Sequence, residues 1–191
     1  MPDLISEVKV AILGAKSGLL AQQMGVVPFD LDLADVAIFI VSANHGIISA
    51  DLEEWRRARE LYIPSIVAIS DLTASEIDFE DMSAIATKML DPIVTPYLVL
   101  HSDSGSPVAL IDLETLKVLD YSKSLLVIRD ADAEHIDLVN EFRLEYLEAV
   151  QDAGEDSFAA GLLFPALPWI EDRQIGVEQI KSYLNQIPVI R

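Results

Sequence analysis

The chain has 191 residues, no cysteine and a formal net charge of −19 at pH 7. The absence of cysteine excludes disulfides, thiolate catalysis and cysteine-ligated zinc. A strongly acidic surface disfavours direct contact with nucleic-acid phosphates. No apolar run reaches the roughly 18 residues of a membrane span, and the acidic N-terminus does not resemble a signal peptide. We therefore expect a soluble, cytoplasmic protein, and the length suits one domain with a small insertion.

The N-terminal pattern predicts a strand over residues 8–13, followed by Gly14-Ala15-Lys16-Ser17 and an apolar stretch to Met24. A phosphate-binding loop has the form Gly-x-x-x-x-Gly-Lys-Ser/Thr between a strand and a helix. Lys16 and Ser17 match its last pair, but four residues are missing before them. The favoured interpretation is a short turn with a solvated lysine. Residues 25–33 then alternate apolar and acidic residues and predict a short strand or an extended connection.

Residues 35–73 predict a strand, a helix and a second strand, the unit that builds a parallel sheet. Residues 36–41 and 66–69 are nearly all apolar, as in strands buried on both faces. Ser49 is a candidate cap of the intervening helix. The predicted buried stripe of that helix consists of Leu52, Trp55, Ala58 and Tyr62.

The same stretch resembles the GTPase domain of the translation elongation factor G family. The matching residues are Gly46, Trp55-Arg56-x-Ala58 and Ile63-Pro64-x-Ile66. The resemblance implies a P-loop GTPase-like sheet, reduced because only about twenty residues separate Lys16 from the strand at Val36. The family places two strands and both nucleotide-sensing switches in that interval.

The resemblance stops at the residues that bind nucleotide. The guanine-reading Asn-Lys-x-Asp of the family is replaced by Ser70, Asp71, Leu72 and Thr73, and its Ser-Ala motif by Ile170-Glu171-Asp172. The degenerate nucleotide-site positions are Gly14, Lys16, Ser17, Ser70, Asp71 and Thr73. Two hypotheses follow. The first is a non-catalytic, cofactor-free pseudo-GTPase that acts through protein–protein interaction. The alternative is a GTPase domain that binds GTP or GDP through altered contacts.

The second half predicts a smaller set of elements. They are a helix over 75–90, a strand pair over 95–101 and 107–113, a strand at 125–128, a helix over 131–150 capped by Asp130 or Asp132, a strand at 162–167 and a helix at 177–184. The pattern 111–117 also resembles the insertion subdomain of elongation factor G. The predicted fold class is α/β, with a core of residues 1–91 and 156–191 and an α+β insertion subdomain over 92–155.

Other candidate residues favour structural roles. His45, His101 and His135 lack metal-ligand spacing among themselves, and Asp130, Asp132, Glu134 and Glu141 only partly match a calcium loop. Arg56, Arg57 and Arg59 are expected in exposed ion pairs. Ser102, Ser104 and Ser106 lack a nucleophile elbow and predict a hairpin turn. Trp169 is expected either to anchor a partner or to close the core.

The predicted first strand also bears on partners. With the family's second and third strands missing, residues 8–13 become a sheet edge that is almost entirely apolar. Such an edge invites pairing with another strand. We therefore expect a protein partner or a homodimer, unless residues 26–33 fold back over the edge.

Overall fold

The computed structural model of the chain describes residues 7–73, 76–123 and 125–188. Its first sheet contains five parallel strands in the order β1-β2-β3-β9-β4, and its second contains four antiparallel strands in the order β5-β6-β7-β8. The strands are β1 Val10–Gly14, β2 Val36–Ser42, β3 Ser65–Ser70, β4 Ile93–Val94, β5 Tyr97–His101, β6 Pro107–Asp112, β7 Lys117–Asp120, β8 Val127–Asp130 and β9 Phe164–Pro168.

Five α-helices accompany these strands within the described ranges: α1 Ser17–Met24, α2 Ser49–Glu60, α3 Phe79–Met89, α4 Ala133–Ala153 and α5 Val177–Leu184. Short 3₁₀ turns lie at Leu31–Leu33 and Glu171–Arg173. Among the described residues, no helix is both long and apolar enough to cross a membrane. The parallel sheet and the helices that flank it confirm the predicted α/β fold class.

The parallel sheet is covered on both faces, which explains the continuous apolar runs of its central strands. Ile38 and Ile66 lie on the face covered by α1 and α5. Phe39 and Val67 lie on the opposite face, against α2 and α3. All residues of β2 and β3 are buried. The sheet is thus the central layer of the fold.

The antiparallel sheet shares one apolar cluster with the parallel sheet. Leu110 and Ile111 of β6 and Val139 of α4 belong to the same cluster as Phe39 and Val67. The predicted strand pair around Ser102–Ser106 is confirmed by β5 and β6. Because β4 at residues 93–94 pairs with β9, the first sheet reaches into the predicted insertion. The domain boundaries themselves stay a prediction.

Several local predictions need correction. Residues 25–33 form no strand but an irregular segment that ends in the 3₁₀ turn. The N-cap of α2 is Ile48 rather than Ser49, and its N–H donates to the Asp51 side chain at 2.9 Å. Tyr62 lies beyond the end of α2 with φ 56° and is 84% exposed, so it does not continue the buried stripe. For the helix predicted over 75–90, Ser75 lies outside the described residues.

The edge strand β1 is protected by its own chain. It ends the sheet order, as expected. However, the Phe29 N–H donates to the Val10 carbonyl at 2.9 Å, and Ile12 is only 8% exposed. The segment that follows α1 thus folds back over the outer side of β1. This outcome favours the internal alternative over pairing of β1 with a second molecule.

Arg59 is the main exception to the expectation of exposed arginine pairs. Its guanidinium lies 4.1 Å from the ring centroid of Phe164 and 4.8 Å from that of Trp55. It also donates to the Ile63 carbonyl and to Ser65, both at 2.5 Å. Burial, only partly offset by the charge of Asp91, lowers the pKa of Arg59 to about 10. Arg57, in contrast, forms an exposed pair with Asp32.

Gly14 provides a test of how closely β1 and β2 approach. A Cβ at Gly14, which has φ 99°, would lie 2.4 Å from the Ile40 carbonyl oxygen. Gly25 has φ 71° but open space around it. We expect Gly25→Ala to cost about 1–2 kcal/mol from backbone strain alone. Gly14→Ala should cost a further ~1–3 kcal/mol from overpacking. Urea unfolding measures both, and equal costs would contradict the close approach.

Candidate functional site

The carboxyl ends of four parallel strands meet at one edge of the first sheet, where ligands bind in open α/β folds. β1 leads to Lys16, β2 ends at Ser42, β3 leads to Asp71 and β9 leads to Glu171. Their side chains converge although Lys16 and Glu171 are 155 residues apart in the chain. We define Lys16, Ser42, Asp71 and Glu171 as the edge cluster.

Lys16 is the cation of the edge cluster. Its Nζ donates to Glu171 Oε1 at 2.5 Å and also contacts Asp71 Oδ1. Its backbone adopts φ 63°, the left-handed region, at the N-cap of α1. The Lys16 carbonyl accepts from the N–H groups of Leu19 and Leu20. The short turn between β1 and α1 agrees with the sequence interpretation, and Lys16 is exposed as expected. Its ion pairs with Asp71 and Glu171 were not foreseen.

Asp71 connects three strand ends. Its carboxylate accepts from Ser42 Oγ at 2.6 Å, and Ser70 Oγ lies 3.4 Å from the same oxygen. Its backbone N–H donates to Glu171 Oε1 at 3.2 Å. Asp71 also has a positive φ of 63°, which aspartate tolerates better than most residues. The carboxylate and N–H of Asp71 thus bond groups that follow or end β1, β2 and β9.

Glu171 is held by the end of β9. It begins the 3₁₀ turn, and its carbonyl accepts from Gln23 Nε2 at 2.8 Å. Gln23 Oε1 in turn accepts from the Trp169 indole N–H at 2.9 Å. Trp169 is fully buried, so it closes the core rather than anchoring a partner. This chain of hydrogen bonds ties Glu171 to α1 and to the core.

The ion pair shifts the pKa values of both partners in the expected directions. Burial by itself raises the pKa of Asp71, but hydrogen bonds from Lys16 and Ser42 and the lysine charge bring it below its ordinary value. Burial likewise opposes the charged form of Lys16, yet its bonds to Asp71 and Glu171 raise its pKa overall. Both groups are therefore held in their charged forms at neutral pH.

A shallow depression of about 260 Å³ lies beside the edge cluster. It is lined by Lys16, Asn44, Asp71, Thr73, Glu171 and Asp172. The one cation among these lining residues faces three carboxylates and already bonds two of them. Such a surface repels anions and leaves the lysine engaged within the protein. In the part of the chain that the structure describes, no three or more His, Cys, Asp or Glu side chains are arranged so that they could hold a metal ion, these three carboxylates included.

The six sequence-predicted positions are only partly brought together. Lys16 and Asp71 are in contact, Ser70 lies beside Asp71, and Thr73 lines the depression. Gly14 ends β1 and Ser17 begins α1. The sequence interpretation missed Glu171 as a partner of Lys16. The available signal was its place shortly after a buried strand.

The remaining candidates have structural roles. Asp132 caps α4 by accepting from the His135 N–H at 2.9 Å, as one of the two predicted caps. The serines of the hairpin turn hydrogen-bond one another, with Ser102 Oγ 2.8 Å from Ser104 Oγ. The backbone N–H of His45 donates to Ser42 Oγ at 3.3 Å, but the His45 residue as a whole is exposed. Its imidazole therefore adds nothing to the hydrogen bonds described for the edge cluster.

The fold and the edge cluster define an α/β protein with a parallel five-stranded sheet and an ion pair at its carboxyl edge. No protein-family model matches the chain. A protein of known crystal structure from Thermus thermophilus is 25% identical, with a TM-score of 0.72 over 83% of this chain. The chain spans about a quarter of that protein's length, 27%.

The ion pair predicts a measurable coupling between Lys16 and Asp71. In a double-mutant cycle of Lys16→Met and Asp71→Asn, we expect a coupling energy of about 1 kcal/mol, modest because both side chains are partly exposed. The exposed pair of Lys181 and Glu178 is the matched control, with about 0.2–0.5 kcal/mol expected. Urea unfolding at pH 7 measures both cycles. A Lys16–Asp71 coupling no larger than that of the control would contradict this role.

The same pair predicts a pH dependence. Because folding lowers the pKa of Asp71, its contribution is fully present above the ordinary aspartate value of about 3.9 and is lost as pH falls through the lowered value. The difference in unfolding free energy between the wild type and Asp71→Asn should therefore shrink as the pH is lowered below about 4. A difference that stays constant from pH 7 into this range would show that Asp71 acts through something other than its charge.

Proposed function

We propose that this protein is a non-catalytic member of the GTPase-like α/β proteins, related to elongation factor G, that acts through protein–protein interaction. The observation that carries the proposal is the engagement of Lys16 by Asp71 and Glu171. In a phosphate-binding loop, the corresponding lysine reaches the outer phosphates of a nucleotide. Here that cation is bound by two carboxylates of its own chain.

Electrostatics supports the absence of nucleotide binding. A nucleoside diphosphate would bring negative charge to a depression already lined by Asp71, Glu171 and Asp172. It would also have to displace at least one of the carboxylates bonded to Lys16. Both steps are unfavourable at a partly desolvated site, where like charges repel more strongly than in water.

The backbone supports the same proposal. Only Ala15 and Lys16 separate β1 from α1. A phosphate loop needs a longer, glycine-rich turn whose amides wrap the phosphate. Asp71 is the only carboxylate in the four positions that correspond to Asn-Lys-x-Asp. Its two oxygens already accept hydrogen bonds from Lys16 and Ser42.

The alternative function is a guanine-nucleotide-binding domain with altered contacts. The depression beside Thr73 and the presence of a lysine after the first strand favour it. Under this alternative, GTP or GDP would be the cofactor and Lys16 would leave its carboxylate partners for the phosphates. The two functions therefore differ in what Lys16 contacts when nucleotide is offered.

A titration with fluorescent GDP and Mg²⁺ separates them. We expect no saturable binding at micromolar protein and no hydrolysis of GTP, because the cation that lines the depression is already paired. Micromolar or tighter binding that is lost in Lys16→Met would overturn the proposal and support the alternative. Lys88→Met, which changes an exposed lysine on α3, is the matched control and should leave either result unchanged.

A further inference from the structure

The edge strand β8 differs from the strands of the parallel sheet in its exposure. All four of its residues are exposed, whereas every residue of β2, β3 and β9 is buried. Val127 and Ile128 are 43% and 62% exposed, and Leu125 and Leu126, just before the strand, are 77% and 47% exposed. Four consecutive large apolar side chains therefore line one edge of the antiparallel sheet.

The outer side of β8 also presents backbone groups that its neighbour β7 does not bond. The Ala131 N–H donates to the Leu116 carbonyl at 2.9 Å, which sets the alternation of this ladder. The N–H and C=O groups of Val127 and Arg129 consequently point toward β7. Those of Ile128 and Asp130 point away from it. In the part of the chain that the structure describes, β8 is the last strand of its sheet. An exposed apolar edge of this kind is a template for strand pairing.

The local charge indicates which partner suits this edge. The protein carries a net charge of −19, so two copies repel each other over most of their surfaces. Around β8 the charges balance, because Lys117, Lys123 and Arg129 are equal in number to Asp120, Asp130 and Asp132, the last of which pairs with Arg129. The negative charge that keeps two copies apart elsewhere is therefore offset at β8. A basic partner, in contrast, would be drawn to the acidic surfaces and not to this edge.

We propose that β8 is a homodimer interface, at which two copies pair their edge strands antiparallel about a two-fold axis. With Val127 opposite its own copy, Leu126 of each chain lies opposite Ile128 of the other. This register brings the apolar run of one chain against that of the other, and the outward groups of Ile128 gain backbone partners. It joins the two four-stranded sheets into one continuous eight-stranded sheet.

This inference deepens the proposed function, because it names a second copy of the chain as a partner of a protein that acts by interaction. It moves the site of self-association expected from the sequence, since β1 is covered by its own chain and the residues of β8 are exposed. The two proposals fail separately. The GDP titration reports on the edge cluster, whereas the mass of the particle reports on β8.

The lack of cysteine in the chain allows a direct test by cross-linking. In the proposed register Val127 forms a non-hydrogen-bonded pair with its copy, in which Cα atoms lie about 4.5 Å apart, within disulfide range. We expect Val127→Cys to form a disulfide-linked dimer under mild oxidation. Leu162→Cys is the matched control, because Leu162 is more exposed, at 69%, but lies outside β8. Equal cross-linking of the two variants would overturn the register.

Light scattering of the 191-residue chain tests the interface itself. We expect a dimer of the 21.0 kDa chain at micromolar concentration. Ile128→Lys should raise the dissociation constant by about 100-fold or more, because it places two cations at the centre of the pairing. Leu162→Lys should leave it unchanged. A monomeric wild type, or a dimer that survives Ile128→Lys, would overturn the proposal.

A second variant tests whether loss of the dimer results from misfolding instead of from loss of the interface. Ile128→Pro removes only an N–H that points away from β7 in the single chain, a position where edge strands tolerate proline. We expect a folded monomer with a cooperative unfolding transition. A circular dichroism spectrum that matches the wild type excludes an effect of the substitution on the fold. A folded Ile128→Pro variant that remains dimeric would contradict pairing through β8.

Discussion

The parallel pairing of β1, β2, β3 and β9 is the constraint on which the candidate site depends. In parallel strands the carboxyl ends lie at one edge, so residues that follow different strands meet there regardless of their separation in sequence. The pairing of β3 with β9 is what carries Glu171 to Lys16 and Asp71. The pairing requires both faces of the sheet to be covered, and α1 and α5 on one face and α2 and α3 on the other supply that cover.

The ion pair at this edge bears on both the stability of the sheet and the proposed function. A lysine beside a strand end of an α/β sheet is a natural ligand for anions, but Lys16 instead bonds two carboxylates. The two ion pairs stabilise the strand ends and at the same time leave the cation that lines the depression already paired. A loop of only two residues between β1 and α1 has the same effect, because it leaves too few backbone amides to surround a phosphate. A single local arrangement thus supports the proposal that interaction has replaced nucleotide chemistry.

Exposure of apolar surface is distributed unevenly between the two sheets. The parallel sheet has its apolar edge at β1 covered by the segment that contains Phe29. The antiparallel sheet leaves β8 exposed, with Ile128 62% exposed. In a chain with net charge −19, two copies repel each other, and the proposed pairing is favoured only where that charge is locally offset. The region around Arg129 is such a place.

The sequence by itself determined the α/β fold class, the buried runs of β2 and β3, the hairpin of β5 and β6 and an aspartate cap of α4 at Asp130 or Asp132, of which the structure selects Asp132. These features depend on periodicity and on contacts between residues close in the chain. Tertiary structure alone decided that Arg59 stacks on Phe164, that Phe29 covers β1 and that Glu171 bonds Lys16. Each of these contacts joins side chains or backbone groups that packing of the sheet brings together. The local sequence pattern around one residue carries no information about which distant residue will contact it in the folded chain.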